Sequence, residues 1–593
     1  MEKRFVPVLL ILAVACGGSG DGTGIVKPRS DISSMNVGEV RVLDPVDIPN
    51  GIDLPAGSGA RDYVIVVGNT SAQHDVPASF VVKADRSATG TFGLETAANL
   101  RAQSSLQLNQ GPLARTPQEV LESRVRSFER ARLTMRSPSG VLGGLSARRS
   151  AQVAQASVPA VGDVINVNIP DASTTDLCNN FFPTQAVVAS VSRRAILMVD
   201  TLDGPPGTLF TQAQMDSITQ EFDAITFPTD SSYFNNPTDI DGNGRIIMLF
   251  SGEINKLTPP ALPGSQNGFV GGFFFAGDFF PTTATQQLQG CAQSNGAEIF
   301  YLLSPDPTGQ FNNVRSTSSV RQGTRGTIAH EFQHMINAGN RLQAPCPPTC
   351  DFESTWLDEA LAHFAEDAVG RVQRGFTDLQ TLTFADVLPC NTPCAQANDF
   401  DAFFFQNLAR LTYWMDKPDQ FSPTSAMADT SLATRGAAWA IVRYGADNYS
   451  NGLPRTFTRA LVAGPDTGVN NFAAATKVPI DTVVKGWLVS MYADHLGITG
   501  LDPKYQYRSY NFRDVMPPVA HNVLTQSLAT YPLRLQSIGS GSDNIAAKNL
   551  SGTGSFFRLT VAAGATAKNV KILDASGVAA NFPGEHIYVL RVQ

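Results

Sequence analysis

The stretch that decides the fold runs from Thr327 to Asn337 and reads TIAHEFQHMIN. Side chains four residues apart lie on one face of a helix, so a helix here points the imidazoles of His330 and His334 toward one point. Glu331 lies one step around the helix and can reach a water molecule held at that point. The spacing therefore predicts a metal site with a carboxylate base beside it. The alternative is a surface helix with two unrelated histidines.

A second helix-like stretch follows from Thr355 to Asp367 and reads TWLDEALAHFAED. A catalytic zinc site needs a third protein ligand and one open position. Glu359, His363 and Glu366 fall at i, i+4 and i+7, on one face of this second helix. A carboxylate and an imidazole with this spacing could bind the same metal or hold its ligands, although most glutamates on helices are simply solvated.

Together the two stretches resemble the gluzincin peptidases, a group that includes thermolysin and the zinc aminopeptidases. In that group the third zinc ligand is the glutamate of a Trp-Leu-Asn-Glu-Gly-like segment, which matches Trp356 to Ala360 and gives the role to Glu359. The resemblance covers residues 160–500 and is greatest to the hyicolysin family of secreted bacterial neutral metallopeptidases. Its further pieces are the segments Asp239–Arg245, Gly271–Phe274 and Ser294–Tyr301.

The resemblance implies a zinc-dependent peptidase that acts on protein or peptide substrates. His330, His334 and Glu359 would hold the zinc, and Glu331 would act as general base toward water and then as proton donor to the leaving amine. The rival hypothesis is a non-catalytic surface-binding protein on a degenerate peptidase fold.

Two positions depart from the family pattern. In the zinc aminopeptidases a tyrosine stabilises the oxyanion, and Ala433 occupies the matching place here; Tyr444, Tyr449 or His363 could supply the donor instead. Thermolysin-like enzymes orient a ligand histidine with a carboxylate four residues after the ligand glutamate. Since His363 holds that place, the resemblance leaves Glu366 as the orienting carboxylate.

A possible second metal site lies in the loop DIDGNG. Asp239, Asp241 and Asn243 occupy positions 1, 3 and 5 of a calcium-loop pattern, and Gly244 occupies position 6. Position 12 is Phe250 rather than the usual glutamate. Calcium binding and a glycine-rich turn before a strand therefore both remain open.

The N-terminus has the pattern of a bacterial lipoprotein signal. Lys3 and Arg4 precede a short apolar run, small residues lead to Cys16, and a Gly/Ser-rich tether follows. Since Gly17 is not aspartate, lipoprotein sorting would favour the outer membrane or cell surface of a bacterial envelope. An ordinary secretory signal is the alternative. No later segment reaches the ~20 apolar residues of a membrane-spanning helix.

Six further cysteines favour disulfides in an exported protein. They are Cys178, Cys291, Cys346, Cys350, Cys390 and Cys394. A four-cysteine structural zinc site is the rival, but such sites usually have a two-residue gap. The pairing is not readable from the spacing.

Length and charge set the broad class. A chain of 593 residues exceeds one ordinary core, and a net charge of −8 offers no basic face for nucleic acid. We predict an α+β multidomain fold with an N-terminal β-sandwich, a thermolysin-like catalytic unit whose C-terminal half is mostly helical, and a C-terminal β-domain. The expected boundaries are 1–16 signal peptide, 17–33 tether, 34–108 β-sandwich, 109–157 helical linker or pro-region, 158–500 zinc metallopeptidase and 501–593 C-terminal β-domain.

We expect Cys16→Ser to move the protein from the membrane fraction to the soluble fraction, because it removes the lipid attachment point. Each acyl CH₂ buried in the membrane contributes about 0.8 kcal/mol of anchoring. Fractionation and mass spectrometry of the N-terminus test this. A Cys16→Ser variant that stays in the membrane, or an unmodified Cys16, contradicts the lipoprotein prediction.

Overall fold

The structure is a computed structural model, and it describes residues 32, 34–84, 116–132, 158–260, 268–285, 288–343, 351–390, 395–425, 431–539 and 544–593. Across these ranges the protein is a multidomain α+β structure with three sheets and many helices. None of the helices in these ranges combines the length and apolar character needed to cross a membrane. Cys16 and the expected signal peptide lie outside the described residues.

The strands of the described ranges form two β-rich regions, one at both ends of the chain and one in the middle. Their bounds are β1 Val40–Leu43, β2 Ile52–Leu54, β3 Arg61–Asn69, β4 Ala78–Ala84, β5 Val164–Pro170, β6 Phe181–Val191, β7 Ala195–Asp200, β8 Ile246–Ser251, β9 Gly272–Phe274, β10 Ile299–Leu303, β11 Leu535–Ser537, β12 Asn544–Asn549, β13 Thr553–Val561, β14 Lys568–Leu573 and β15 Glu585–Arg591.

The helices concentrate between residues 317 and 523. Their bounds are α1 Pro117–Arg132, α2 Pro206–Leu209, α3 Gln212–Glu221, α4 Phe227–Phe234, α5 Gly252–Lys256, α6 Thr317–Gln343, α7 Thr355–Gln373, α8 Phe384–Val387, α9 Ala395–Asp399, α10 Phe405–Asp416, α11 Leu432–Tyr449, α12 Pro454–Ala463, α13 Gly468–Thr476, α14 Ile480–Ala493 and α15 Phe512–Val523. The π-helical segments Phe222–Thr226 and Phe400–Phe404 join α3 to α4 and α9 to α10.

Both ends of the chain build one β-sandwich. Its five-stranded sheet has the order β1-β15-β3-β13-β11, and its four-stranded sheet has the order β12-β4-β14-β2. Strand β3 is buried on both faces: Ile65 and Val67 face the sandwich core, whereas Val64 and Val66 join the core of the helical unit. This double burial explains why β3 is a continuous apolar run.

The expectation of separate N-terminal and C-terminal β-domains is therefore wrong. Strand β3 pairs with β13 on one side and with β15 on the other, so neither end of the chain completes a sandwich by itself. Period-2 alternation marks a segment as a strand, but it carries no information about which distant strand is its partner.

The middle of the chain contains a six-stranded mixed sheet of order β5-β6-β7-β8-β10-β9. Strands β7, β8 and β10 run parallel, and β9 pairs antiparallel with β10. Because β9 is an edge strand, one row of its backbone donors and acceptors has no strand partner. The helices α6 and α7 pack together beside this sheet, and α6 contacts β9.

Helix α1 begins with Pro117 at its first position and a reciprocal cap, in which the Thr116 backbone N–H donates to Glu119 Oε2 at 3.0 Å and the Glu119 backbone N–H donates to Thr116 Oγ1 at 3.5 Å. The expectation of disulfides is confirmed in the described residues. A disulfide joins Cys178 to Cys291, and Cys390 is also disulfide-bonded. Cys346, Cys350 and Cys394 lie outside the described residues.

We expect Ile587→Ala in β15 to destabilise β3 by about 2–5 kcal/mol, because it opens a cavity in the core that the two chain ends share. Hydrogen exchange at the β3 amides measures this free energy. Val578→Ala is the control, since Val578 is 63% exposed and should change stability by no more than about 0.5 kcal/mol. Unchanged exchange in β3 after Ile587→Ala would indicate an independent N-terminal sandwich.

Candidate metal centre and cleft

Helices α6 and α7 bring His330, His334 and Glu359 together. The two Nε2 atoms of the histidines are 3.2 Å apart. Glu359 Oε2 lies 3.5 Å from His330 Nε2 and 3.9 Å from His334 Nε2. All three side chains are buried, and their ligand atoms lie within 4.8 Å of one another.

The spacing of these atoms fits a tetrahedral zinc site. Zinc bonds to nitrogen and carboxylate oxygen measure about 2.0–2.2 Å, which places neighbouring tetrahedral ligands about 3.4 Å apart. A second group of possible ligands, His330, His363 and Glu366, fits less well. Its closest pair, His330 Nδ1 and Glu366 Oε1, is 2.7 Å apart, which is hydrogen-bond distance.

Unsatisfied carboxylate oxygens also favour a cation here. Glu359 Oε1 and Glu331 Oε1 are buried, and neither has a hydrogen-bond partner among the described residues. Burying a carboxylate oxygen without a partner is costly. A divalent cation between these groups would supply the missing partner and charge.

The ionisation of the ligands reflects the same shortage of positive charge. Burial alone would lower the pKa of His330, but hydrogen bonds with Glu359 and Glu366 raise this pKa well above its usual value. Burial alone would raise the pKa of Glu359, but Arg435 and the two histidines hold it well below its usual value. Both shifts have one physical cause, since the buried carboxylates favour a positive charge at this position.

Glu366 lies behind His330 and fixes the orientation of its ring. Its Oε1 is 2.7 Å from His330 Nδ1, and Asn407 Nδ2 donates to its Oε2 at 3.2 Å. His363 Nδ1 also contacts Glu366 Oε1, at 3.0 Å. Burial and the Arg410 charge lower the pKa of His363 to about 3, so its imidazole is neutral at pH 7.

Asp358 orients the second histidine, a role that the sequence reasoning missed. Its Oδ2 lies 2.9 Å from His334 Nδ1, and Asn337 donates to its Oδ1. Arg126, on α1, lies 3.5 Å from the same carboxylate. The sequence does place the carboxylate of Asp358 directly before the ligand glutamate. The family pattern, however, expects the orienting carboxylate four positions after that glutamate.

The predicted base, Glu331, is held by the sheet edge. The Phe274 backbone N–H donates to Glu331 Oε2 at 2.8 Å. Burial raises the pKa of this carboxyl above its usual value, although His330 and His334 oppose the shift. The other oxygen, Oε1, lacks a hydrogen-bond partner among the described residues. The carboxylate is therefore positioned by one oxygen and can accept a proton with the other.

Two charged residues from distant segments complete the cluster, and sequence reasoning found neither. Arg435 on α11 donates to Glu359 Oε2 at 3.0 Å and forms a second ion pair with Glu122 on α1. Ala433, where the family pattern has tyrosine, lies two residues earlier on the same helix and offers no donor. The spacing of residues within α1 or α11 gives no indication that Glu122 or Arg435 lies near the two histidines.

The structure does not bring Tyr444 to this cluster. Its hydroxyl donates to the Lys504 carbonyl at 2.7 Å, and its ring packs against Tyr449 and Tyr507. It lies nine positions after Arg435 on α11, about 13.5 Å along the helix axis. The prediction of Tyr444 as an oxyanion donor is therefore wrong, because the buried hydroxyl serves the packing of α11.

The expected calcium loop gathers a different set of oxygens. Asp239 and Asp241 are joined by Glu298, which the sequence reasoning did not include as a ligand. Burial raises the pKa of Glu298 to about 7. Asn243 Oδ1 instead accepts from the Arg245 backbone N–H at 2.6 Å. Calcium at this loop remains a prediction.

A cleft of about 250 Å³ opens beside the cluster. His330, Glu331 and Glu366 line one wall, and Gln118 and Glu122 of α1 line another. One candidate ligand, His330, and the candidate base, Glu331, therefore line a cleft of which α1 forms part of the wall.

The chain is similar to the neutral metalloprotease ShpI of Staphylococcus hyicus. The two are 28% identical over 156 residues, which is 26% of this chain and 31% of that protein. The match thus spans about a third of the length of the relative. No family model matches the chain.

We expect Asp358→Asn to weaken zinc affinity about 10–100-fold, because it removes the carboxylate that orients His334. Glu359→Ala should weaken it further, because it removes a ligand atom. Competition with a chromogenic chelator at pH 7 measures both. Asp481→Asn on α14 is the control for the same chemical change. Loss of zinc in Glu366→Gln but not in Glu359→Ala contradicts the ligand assignment.

Proposed function

We propose that this protein is a zinc-dependent peptidase of the gluzincin type. The observation that carries the proposal is the triangle of His330 Nε2, His334 Nε2 and Glu359 Oε2, with sides of 3.2, 3.5 and 3.9 Å. Glu331 lies directly beside it on α6. The similarity to a neutral metalloprotease supports the same class independently. Membership of the hyicolysin family rests on the sequence resemblance.

The donor set fits zinc better than calcium or magnesium, because two imidazoles and one carboxylate match the preference of zinc for mixed nitrogen and oxygen ligands. Bound zinc would polarise the scissile carbonyl and lower the pKa of a water molecule to about 7. Glu366 and Asp358 hold the two imidazoles in place, which keeps both Nε2 atoms directed at one point.

Glu331 performs the proton transfers in this proposal. Its Oε1 accepts the proton of the attacking water. The hydrogen bond from the Phe274 N–H to Oε2 holds the carboxylate in place beside the sheet edge. The same carboxyl then delivers the proton to the leaving amine. A raised pKa suits this role, because it makes the carboxylate a stronger base.

The substrate in this proposal is a protein or peptide that enters the cleft beside β9. A bacterial cell-envelope location through a lipid on Cys16 remains a prediction from the sequence. Chelator-sensitive peptidase activity separates the proposed function from the rival, a non-catalytic surface-binding protein.

We expect the wild-type protein to cleave casein, and 1,10-phenanthroline to abolish the cleavage. Glu331→Gln should lower turnover by about 10²–10⁴-fold, because it removes the general base and keeps all three ligands. Zinc content, measured by mass spectrometry, should stay at one ion per chain.

The control is Glu39→Gln, which makes the same chemical change in the β-sandwich and should keep full turnover. Wild-type turnover in Glu331→Gln rules out the proposed base. Cleavage that persists in a zinc-free protein rules out the metal.

A further inference from the structure

Helix α1 covers the free edge of β9 with its polar side chains. The Gln118 amide donates to the Gly272 carbonyl and accepts from the Gly271 N–H, both at 2.8 Å. Farther along, Arg126 donates to the Phe274 carbonyl at 3.3 Å, and Glu129 accepts from the Ala276 N–H at 2.7 Å. The Gly272 and Phe274 carbonyls belong to β9 and are groups that an extended peptide would use to add itself to a sheet edge.

Glu122, on the same helix, lies beside the candidate metal centre and lines the same cleft as His330 and Glu331. Its Oε1 lies 3.8 Å from His330 Nε2, and Glu122, His330 and Glu331 each place an oxygen or nitrogen within 4.8 Å of the others. Gln118 donates to Glu122 Oε1 at 2.6 Å, and Arg435 pairs with its other oxygen. The carboxylate is thus held in the space between the base and a ligand histidine.

The apolar face of α1 keeps the helix in this position. Leu121, Val125 and Phe128 are buried in the main core, and the Phe128 ring lies 5.9 Å from that of Phe275. The i, i+4, i+7 spacing of these residues makes one apolar stripe. The polar residues that flank the stripe contact the cleft.

A peptide substrate and α1 therefore compete for the same groups. Hydrolysis requires the scissile carbonyl and water about 3 Å from the reacting groups, and the Glu122 carboxylate lies within 4.8 Å of both His330 and Glu331. Binding of the peptide backbone requires the edge of β9, where Gln118 and Arg126 lie. Occupation of both by one helix excludes a substrate from each.

We propose that α1 is an internal inhibitor, and that the cleft binds peptides only when α1 has left the β9 edge. The proposal rests on the proposed peptidase function. If α1 leaves and returns at equilibrium, only the molecules with a free cleft can bind a competing ligand. The apparent Kd of that ligand is then its intrinsic Kd divided by the fraction of molecules in which the cleft is free. Tethering α1 in place should therefore close the cleft, and weakening its contacts should open it.

The structure offers a site for a reversible tether. A Cβ built on Gly268 would lie 3.1 Å from the Thr116 Cβ, close to the Cβ separation of roughly 3.5–4.5 Å in disulfides. The full-length Thr116→Cys/Gly268→Cys variant can thus lock the start of α1 to the cleft wall. Thr116→Cys and Gly268→Cys alone, given the same oxidant and reductant, control for the substitutions and for the native disulfides.

The readout is binding of a fluorescein-labelled Ala-Phe-Leu hydroxamate, measured by anisotropy on zinc-loaded protein, with casein cleavage measured in parallel. We expect the oxidised double-cysteine variant to bind at least about tenfold more weakly than its reduced form. Gln118→Ala/Glu122→Gln should bind at least about tenfold more tightly than wild type and cleave casein faster. Val120→Ala, on the exposed face of α1, should match wild type.

Equal affinity in the oxidised and reduced forms overturns the proposal, as does an affinity of Gln118→Ala/Glu122→Gln no tighter than wild type. Gln118→Ala alone, which removes a half-buried side chain, repeats the second test if the double variant is unstable. Failure of the proposed function is distinct: no form would retain zinc or cleave casein, which overturns both proposals.

Discussion

The packing of α6 against α7 is the contact on which the candidate site depends. It buries three histidines and four carboxylates in one region, where each charge needs an opposite charge or a hydrogen bond. The network meets this need almost completely: Glu366 faces His330, Asp358 faces His334, and Arg435 faces Glu359. Among the described residues of this network, the carboxylate oxygens without a hydrogen-bond partner are Glu331 Oε1 and Glu359 Oε1, which belong to the proposed base and a proposed ligand.

Local spacing predicted the part of this site that lies within single helices. His330 and His334 share a face because they are four residues apart, and Glu359 with Glu366 follows the same rule on the next helix. Asp358 was overlooked because the resemblance supplied a fixed position for the orienting carboxylate, while the helix geometry allowed another. Tyr444 was chosen by residue type, which says nothing about where its hydroxyl points.

Contacts between distant segments could not be predicted from residue spacing within single helices. Glu122 and Arg435 lie near the ligands only because α1 and α11 pack on α7 and its neighbours. The hydrophobic periodicity of the sequence does not predict which helices pack together. Strand positions were similarly predicted by alternation, whereas strand partners were not. The double burial of β3 is the informative exception, since an unbroken apolar strand demands cover on both faces.

The shared sandwich has a consequence for the order of folding. Asn69 and Asn549, 480 residues apart, hydrogen-bond across it, and closing a disordered loop of that length costs about 3 kcal/mol more than closing a ten-residue hairpin. The middle of the chain can reduce this cost by folding first and bringing its flanks together. A strand as apolar as β3 must then wait without strand partners until β13 and β15 have been synthesised. In this period it is prone to aggregation, so the protein is most vulnerable before its last strands are available.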